Sequence, residues 1–150
     1  MARIAVNGLA LAYDETGAGA ESIVFAHGLG WSGRMFDVQV AHLKGRYRCL
    51  TFDLRGHGGS ELSGMFDMDD LTDDAAAFVE ATDARPCHFV GWSIGGHIGL
   101  RLAARRPQLL RSLTLIGCSD VDAADITTSY KMIPMLVRIL GPNAIAGGFM

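Results

Sequence analysis

The sequence has few cysteines, no excess of positive charge and no long uninterrupted apolar run. Its three cysteines, Cys49, Cys87 and Cys118, are odd in number and form no CxxC pair. This favours buried, reduced thiols in a cytoplasmic protein over metal or redox chemistry. With 13 cationic and 16 anionic residues the net charge is −3, so the charge gives no reason to expect nucleic acid as a partner. We expect no metal and no cofactor.

Neither terminal region has the pattern of a targeting or membrane segment. Residues 1–17 alternate apolar and small residues and soon reach Asp14 and Glu15, whereas a signal peptide needs a continuous apolar stretch and a cleavage site. The apolar segment 132–140 contains Pro134 and Arg138 and is too short to span a membrane. The sequence therefore predicts a soluble, cytoplasmic protein without a membrane partner.

The composition and the order of the predicted segments indicate one α/β domain. Hydrophobic residues make up 49% of the chain, enough for a core, and Asn7-Gly8 between two short strands is a strong hairpin signal. Beyond the hairpin, strands are predicted at 22–26, 47–52, 88–91 and 112–117, and helices at 35–43, 68–82 and 94–106. Strands that alternate with helices are typical of a mostly parallel sheet with flanking helices.

The segment Gly91-Trp92-Ser93-Ile94-Gly95 lies between a predicted buried strand and a predicted helix. The string G-x-S-x-G alone is weak evidence, and a serine between glycines can be an ordinary turn. At a strand-to-helix junction, however, the pattern is that of a nucleophile elbow, in which the serine stands on a strained corner. Side chains at 91 and 95 would then have no room, and the helix would direct its positive end toward an oxyanion.

The glycine-rich segment 27–33, HGLGWSG, directly follows the predicted strand 22–26. Alone it could be a turn before a helix. Because it follows a neighbouring strand, the fold can bring its backbone amides close to Ser93. Amides directed at a developing oxyanion each lower a reaction barrier by a few kcal/mol. The N–H groups of Leu29 and Ile94 are the expected pair.

Three segments, HGLG, DLRGHGGS and GWSIGG, occur in an order and at separations that resemble the α/β-hydrolase fold family. The likeness extends over about residues 3–120 and is strongest to the branch of esterases, enol-lactonases and cofactor-free haloperoxidases. It implies an α/β-hydrolase-type, mostly parallel sheet with an N-terminal hairpin. It also implies Ser93 as nucleophile, Leu29 and Ile94 as oxyanion donors, and a mainly structural role for the loop with Asp53, Arg55 and His57.

The sequence departs from the family in its general base and its acid. In the family the nucleophile is followed by an acid and then a histidine, but no histidine follows His97. Structural roles are expected for all five histidines, His27, His42, His57, His88 and His97. Asp120 is a candidate acid, although a loop aspartate that caps the next helix is the favoured interpretation. Residues 122–150 resemble the start of a helical cap, or lid, after a core of residues 1–121.

These features lead to three hypotheses. The first is a serine hydrolase of small esters or lactones that acts through an acyl-enzyme, with an apolar pocket near Trp31 and Trp92. The second is a non-catalytic protein that binds a small ligand in the same pocket. The third is an inactive N-terminal portion of a longer hydrolase, without the C-terminal strands. In that case strand 112–117 would be an open apolar edge through which the chain self-associates.

Overall fold

The computed structural model describes residues 1–118 and contains the predicted order of strands and helices. The strands are β1 (Ala2–Val6), β2 (Leu9–Thr16), β3 (Ser22–Ala26), β4 (Arg48–Phe52), β5 (Cys87–Trp92) and β6 (Leu110–Ile116). The helices are α1 (Asp37–Leu43), α2 (Met68–Ala81) and α3 (Ile94–Arg105). Helix α1 begins later than predicted because a short 3-10 turn, Gly33–Phe36, precedes it. The predicted boundary between core and cap lies outside the described residues.

The six strands form one mixed sheet in the order β1-β2-β4-β3-β5-β6. The pairs β1–β2 and β2–β4 are antiparallel, and the other three pairs are parallel. Ala26 at the end of β3 lies between Phe52 of β4 and Gly91 of β5. Because parallel strands end at the same edge of a sheet, the three glycine-containing loops that follow β3, β4 and β5 meet there. This edge carries the candidate site.

The N-terminal hairpin is confirmed, and its turn explains why the sequence needs Asn7-Gly8. Val6 pairs with Leu9 across the turn, and Asn7 and Gly8 both have positive φ, 47° and 79°. A two-residue type I′ turn requires this backbone at both central positions, and asparagine and glycine adopt it most readily.

Helices cover the central strands on both faces of the sheet. On one face, α2 and α3 pack against the sheet through Phe78 and Ile98, which share a core with Val24, Leu50 and Phe89. The opposite face has a smaller core with Phe25 and Phe36, against which α1 packs. All five residues of β3 are buried, as its continuous apolar run predicts. The central strand is therefore a rigid support for the loop that follows it.

Strand β6 is the outermost strand on its side of the sheet within residues 1–118, where it pairs only with β5. Leu115 and Ile116 at its end are 41% and 42% exposed. No helix in the described part of the chain is long and apolar enough to cross a membrane.

Candidate active site

Ser93 is the single residue between the end of β5 and the start of α3, and its backbone is strained. Its φ of 53° and ψ of −116° lie outside the regions that are favourable for a residue with a side chain. The conformation is held by hydrogen bonds on both sides. The Ser93 N–H donates to the Ile116 carbonyl at 2.9 Å, and the Ser93 carbonyl accepts from the N–H groups of Gly96 at 2.9 Å and His97 at 3.2 Å. Strain that the surrounding structure maintains in this way is typical of functional sites.

Glycines flank Ser93 because the backbone of the elbow is crowded. A Cβ at Gly91 would collide with the backbone of Gly95, and a Cβ at Gly95 would collide with the Ala26 carbonyl at the end of β3. The prediction that side chains have no room at 91 and 95 is therefore confirmed. Only glycines allow the elbow to pack this closely against β3.

The loop after β3 lies directly beside Ser93. A Cβ built on Gly28 would be 3.3 Å from the Ser93 Cβ and would overlap the six-membered ring of Trp92. The next residue, Leu29, is 38% exposed, and Ile94 begins α3, where the N–H groups have no partner within the helix. The fold thus places Ser93 beside Gly28, the residue before Leu29, and directly before Ile94.

His27 holds the loop peptide next to Ser93. Its Nε2 accepts a hydrogen bond from the Leu54 N–H at 2.9 Å, and its Nδ1 lies 2.7 Å from the Gly28 carbonyl oxygen. A carbonyl can only accept, so Nδ1 carries the proton and the imidazole is neutral. In a planar trans peptide the N–H points away from the C=O. Fixing the Gly28 carbonyl therefore also fixes the direction of the Leu29 N–H.

The neutral state of His27 has a clear electrostatic basis. The side chain is fully buried, and burial, followed by the nearby His57, lowers the pKa of His27 to about 3. The two rings are 5.2 Å apart. Burial also lowers the pKa of His57, whose Nδ1 donates to the Arg55 carbonyl at 3.0 Å. Two buried, neutral imidazoles therefore make hydrogen bonds to the loops of the site.

We predict that acid destabilises the chain through His27. The unfolded histidine has a pKa of about 6.5, so below that pH the unfolded state binds more protons and the folded state loses stability as pH falls toward the folded pKa. The expected decrease in the free energy of unfolding between pH 7.5 and pH 5 is about 2 kcal/mol from this residue. Urea unfolding at both pH values measures it. His27→Gln, which cannot titrate there, should reduce the pH dependence by that amount, and an unchanged dependence would contradict the prediction.

The loop after β4 is bonded to the loop after β3 and to α2, in agreement with the structural role that the family resemblance implies. Asp53 accepts hydrogen bonds from the Gly33 N–H at 2.7 Å and the Gly59 N–H at 2.8 Å. Arg55 makes a bidentate ion pair with Asp74 of α2. Its Nε and Nη2 atoms lie 2.5 and 2.7 Å from the two carboxylate oxygens. The loop is thus fixed to the neighbouring loop on one side and to a helix on the other.

The surroundings of Ser93 are aromatic. Trp31 and Trp92 pack edge to face with ring centroids 5.7 Å apart, one on the loop after β3 and the other next to Ser93. Indole rings give a large apolar surface with little loss of conformational entropy.

None of the five histidines is hydrogen-bonded to the Ser93 hydroxyl in the described part of the chain. Both ring nitrogens of His27 are occupied, His88 is bonded to Ser112, and His42 is exposed on α1. His97 is buried one turn into α3. Asp120, the candidate acid, lies outside the described residues. Within residues 1–118, no three His, Cys, Asp or Glu side chains are arranged to hold a metal ion.

One residue at the elbow was not predicted from the sequence. The Cys118 thiol donates to the Ser93 carbonyl at 3.2 Å, and a Cβ at Gly96 would collide with its sulfur. The predicted order of strands could have indicated this contact, because β5 and β6 are parallel neighbours and the residues that follow them lie side by side. Burial raises the pKa of this thiol, so it fills space at the elbow as a neutral group.

Comparison with known proteins agrees with this architecture. The model of the alpha/beta hydrolase fold family matches residues 21–140. A Pantoea ananatis protein named "Putative carbamate hydrolase RutD" is 39% identical over 102 residues, which are 67% of this chain and 37% of that protein. The 3-oxoadipate enol-lactonase 1 of Acinetobacter baylyi is 35% identical over 96 residues, 64% of this chain and 36% of that protein.

A similar fold is found in the crystal structure of the enol-lactonase from Burkholderia xenovorans LB400. The TM-score is 0.71 at 34% identity, with 75% of this chain and 45% of the other chain covered. The matched segment thus covers less than half the length of each of these three relatives. From its fold, its motifs and the extent of the match, the chain belongs to the α/β-hydrolase fold family.

Proposed function

We propose that this chain carries the nucleophile and the oxyanion hole of a serine hydrolase that acts on small esters or lactones. The observation that carries the proposal is the strained backbone of Ser93, packed against the loop of Gly28 and Leu29. In the proposed reaction the Ser93 hydroxyl attacks the carbonyl carbon, and the Leu29 and Ile94 N–H groups stabilise the oxyanion. Cleavage of the bond between the carbonyl carbon and the alkoxide oxygen releases an alcohol from an ester and opens the ring of a lactone. It leaves an acyl-enzyme, which water hydrolyses.

We propose that the general base comes from a longer protein that contains this chain. Two observations support this: no histidine in residues 1–118 is bonded to Ser93, and the relatives are more than twice as long as the matched segment. A serine without an adjacent base is a weak nucleophile. The chain of 150 residues should therefore hydrolyse esters at close to the background rate. Asp120 is retained as a candidate acid.

The proposed substrate class rests on the pocket and on the relatives. Two relatives are named enol-lactonases, and the paired indoles next to Ser93 suit a small apolar acyl group. The buried, unpaired thiols of Cys49 and Cys87 support a reducing compartment, and we propose the cytoplasm.

Covalent labelling of the longer protein with a fluorophosphonate tests the proposal. A serine hydrolase should be labelled at Ser93, and Ser93→Ala should lose the label at that residue. The alternative, a protein that only binds a ligand in this pocket, has no activated serine at position 93 and should not be labelled there. A folded protein without a label on Ser93 would contradict the proposed function.

Leu29→Pro should lower turnover of the longer enzyme because it removes the N–H of residue 29. Loss of one oxyanion donor costs about 10²- to 10³-fold in kcat. Leu29→Met retains the amide and should cost far less. Measuring kcat for both variants with a p-nitrophenyl ester shows whether the amide or the side chain of residue 29 is responsible. Equal losses would show that the side chain at 29 matters and its amide does not.

We also propose that the chain of 150 residues self-associates through β6. Within residues 1–118 this strand has one free edge, and its exposed Leu115 and Ile116 favour pairing with a second copy. Sedimentation velocity should therefore show dimers or larger species at micromolar concentration. Lysine at both positions should shift the population to monomer, whereas Val38→Lys, on the exposed surface of α1, should not. A monomeric wild-type chain would contradict the proposal.

A further inference from the structure

A second cluster of polar side chains lies on β5 and β6, away from the elbow. His88 and Ser112 are direct cross-strand neighbours, and the His88 Nδ1 is 2.7 Å from the Ser112 Oγ. The Nε2 atom of the same ring is 3.5 Å from the Glu21 carboxylate, just before β3. Tyr47 packs edge to face on the ring at 5.9 Å. The imidazole of His88 thus lies between a hydroxyl and a carboxylate.

The protonation of His88 follows from its two neighbours. Its Nε2 is buried and makes no hydrogen bond within the described residues, and the charged group that faces it is the Glu21 carboxylate. A lone pair directed at a carboxylate is repelled, whereas an N–H is attracted, so the proton of the neutral ring lies on Nε2. The Nδ1 lone pair then accepts the hydrogen bond from the Ser112 hydroxyl. Glu21 therefore orients the imidazole as a base toward Ser112.

We propose that Ser112 is a second nucleophilic hydroxyl, with His88 as its base and Glu21 as the positioning residue. The acyl donors would be activated aryl esters. The Ser112 Oγ forms a bond to the acyl carbon while its proton moves to the His88 Nδ1. The bond from the acyl carbon to the aryloxide oxygen breaks, the aryloxide leaves with the electron pair, and the imidazolium returns the proton to it or to water. The product is an ester on Ser112.

Exposure and charge set the expected rate. Ser112 is exposed, and side chains of a strand point to the faces of the sheet, so an acyl donor can reach it even where a second copy pairs with the edge of β6. Arg111 competes for Glu21, since its guanidinium lies 3.4 Å from the other carboxylate oxygen. A positioned base contributes about 10²- to 10⁴-fold. With this competition we expect the lower end, about 10²-fold faster acylation than at an ordinary exposed serine.

Acetylation by p-nitrophenyl acetate tests the proposal in a Ser93→Ala chain of 150 residues, which makes the result independent of the proposed function. After reaction at about pH 8, digestion and mass spectrometry give the rate at each serine. Ser63 is the internal reference, because it is exposed in the loop before α2. Ser112 should react about 10²-fold faster than Ser63. His88→Gln should lower that rate to the level of Ser63, whereas His42→Gln should leave it unchanged.

The role of Glu21 is tested by variants with opposite expected effects. Glu21→Gln should slow acetylation of Ser112, and Arg111→Ala, which frees the carboxylate, should accelerate it. A merely structural role for the ion pair would make both variants change the rate in the same direction. Circular dichroism confirms that each variant is folded. Acetylation of Ser112 no faster than of Ser63, or a rate that His88→Gln leaves unchanged, overturns the proposal.

Discussion

Ser93→Ala is expected to abolish turnover of a short-chain p-nitrophenyl ester by the longer enzyme, with a loss in kcat on the order of 10⁶. The acyl-enzyme needs a hydroxyl at this position, and the strained backbone of residue 93 presents that hydroxyl to the loop of Gly28 and Leu29. The loss is large because nucleophile and base act as a unit, so that removal of one makes the other ineffective.

The control for this prediction separates chemistry from folding. The alanine side chain keeps the Cβ, so the crowding of the elbow is unchanged and the free energy of unfolding should remain within about 0.5 kcal/mol of the wild type. Ser63→Ala, in the exposed loop before α2, should leave kcat unchanged. A folded Ser93→Ala enzyme with undiminished turnover would show that Ser93 is not the nucleophile.

The elements of the fold could be predicted because their signals are local. The apolar run of β3, the Asn7-Gly8 turn and the strand-to-helix junction at Ser93 each depend on a few adjacent residues. All six strands and three helices were found in the predicted order. The edge of the sheet at which the motifs meet follows from the parallel arrangement.

The contacts that support the site could not be predicted, since they depend on the packing of distant segments. Nothing in the sequence near His27 indicates that its Nε2 accepts from the Leu54 N–H. The packing of Gly28 on Trp92 likewise depends on how two loops approach each other. The roles of Ser93, Leu29 and Ile94 in catalysis stay predictions.

Among the contacts that support the site, we expect the ion pair between Arg55 and Asp74 to have the largest effect on stability. Both side chains are buried, at 9% and 2% exposure, and Asp74 also accepts a hydrogen bond from Asn7 at 2.9 Å. Arg55→Met removes the cation and leaves an unpaired buried carboxylate. Breaking one side of such a pair costs about 3–5 kcal/mol, so urea unfolding at neutral pH should show a decrease of that size. The loop that holds His27 through Leu54 should loosen with it.

Two controls test whether the loss comes from the unpaired charge. In Arg55→Met/Asp74→Leu no buried charge is left, and most of the stability should return, because apolar replacement of a whole buried pair is often neutral. Arg34 and Asp37 form a pair at 3.6 Å with side chains 77% and 64% exposed, so Arg34→Met should cost less than about 1 kcal/mol. If the double variant were as unstable as Arg55→Met, the arginine would stabilise the loop by its packing, including its contact with the Phe66 ring at 5.9 Å, and its charge would be secondary.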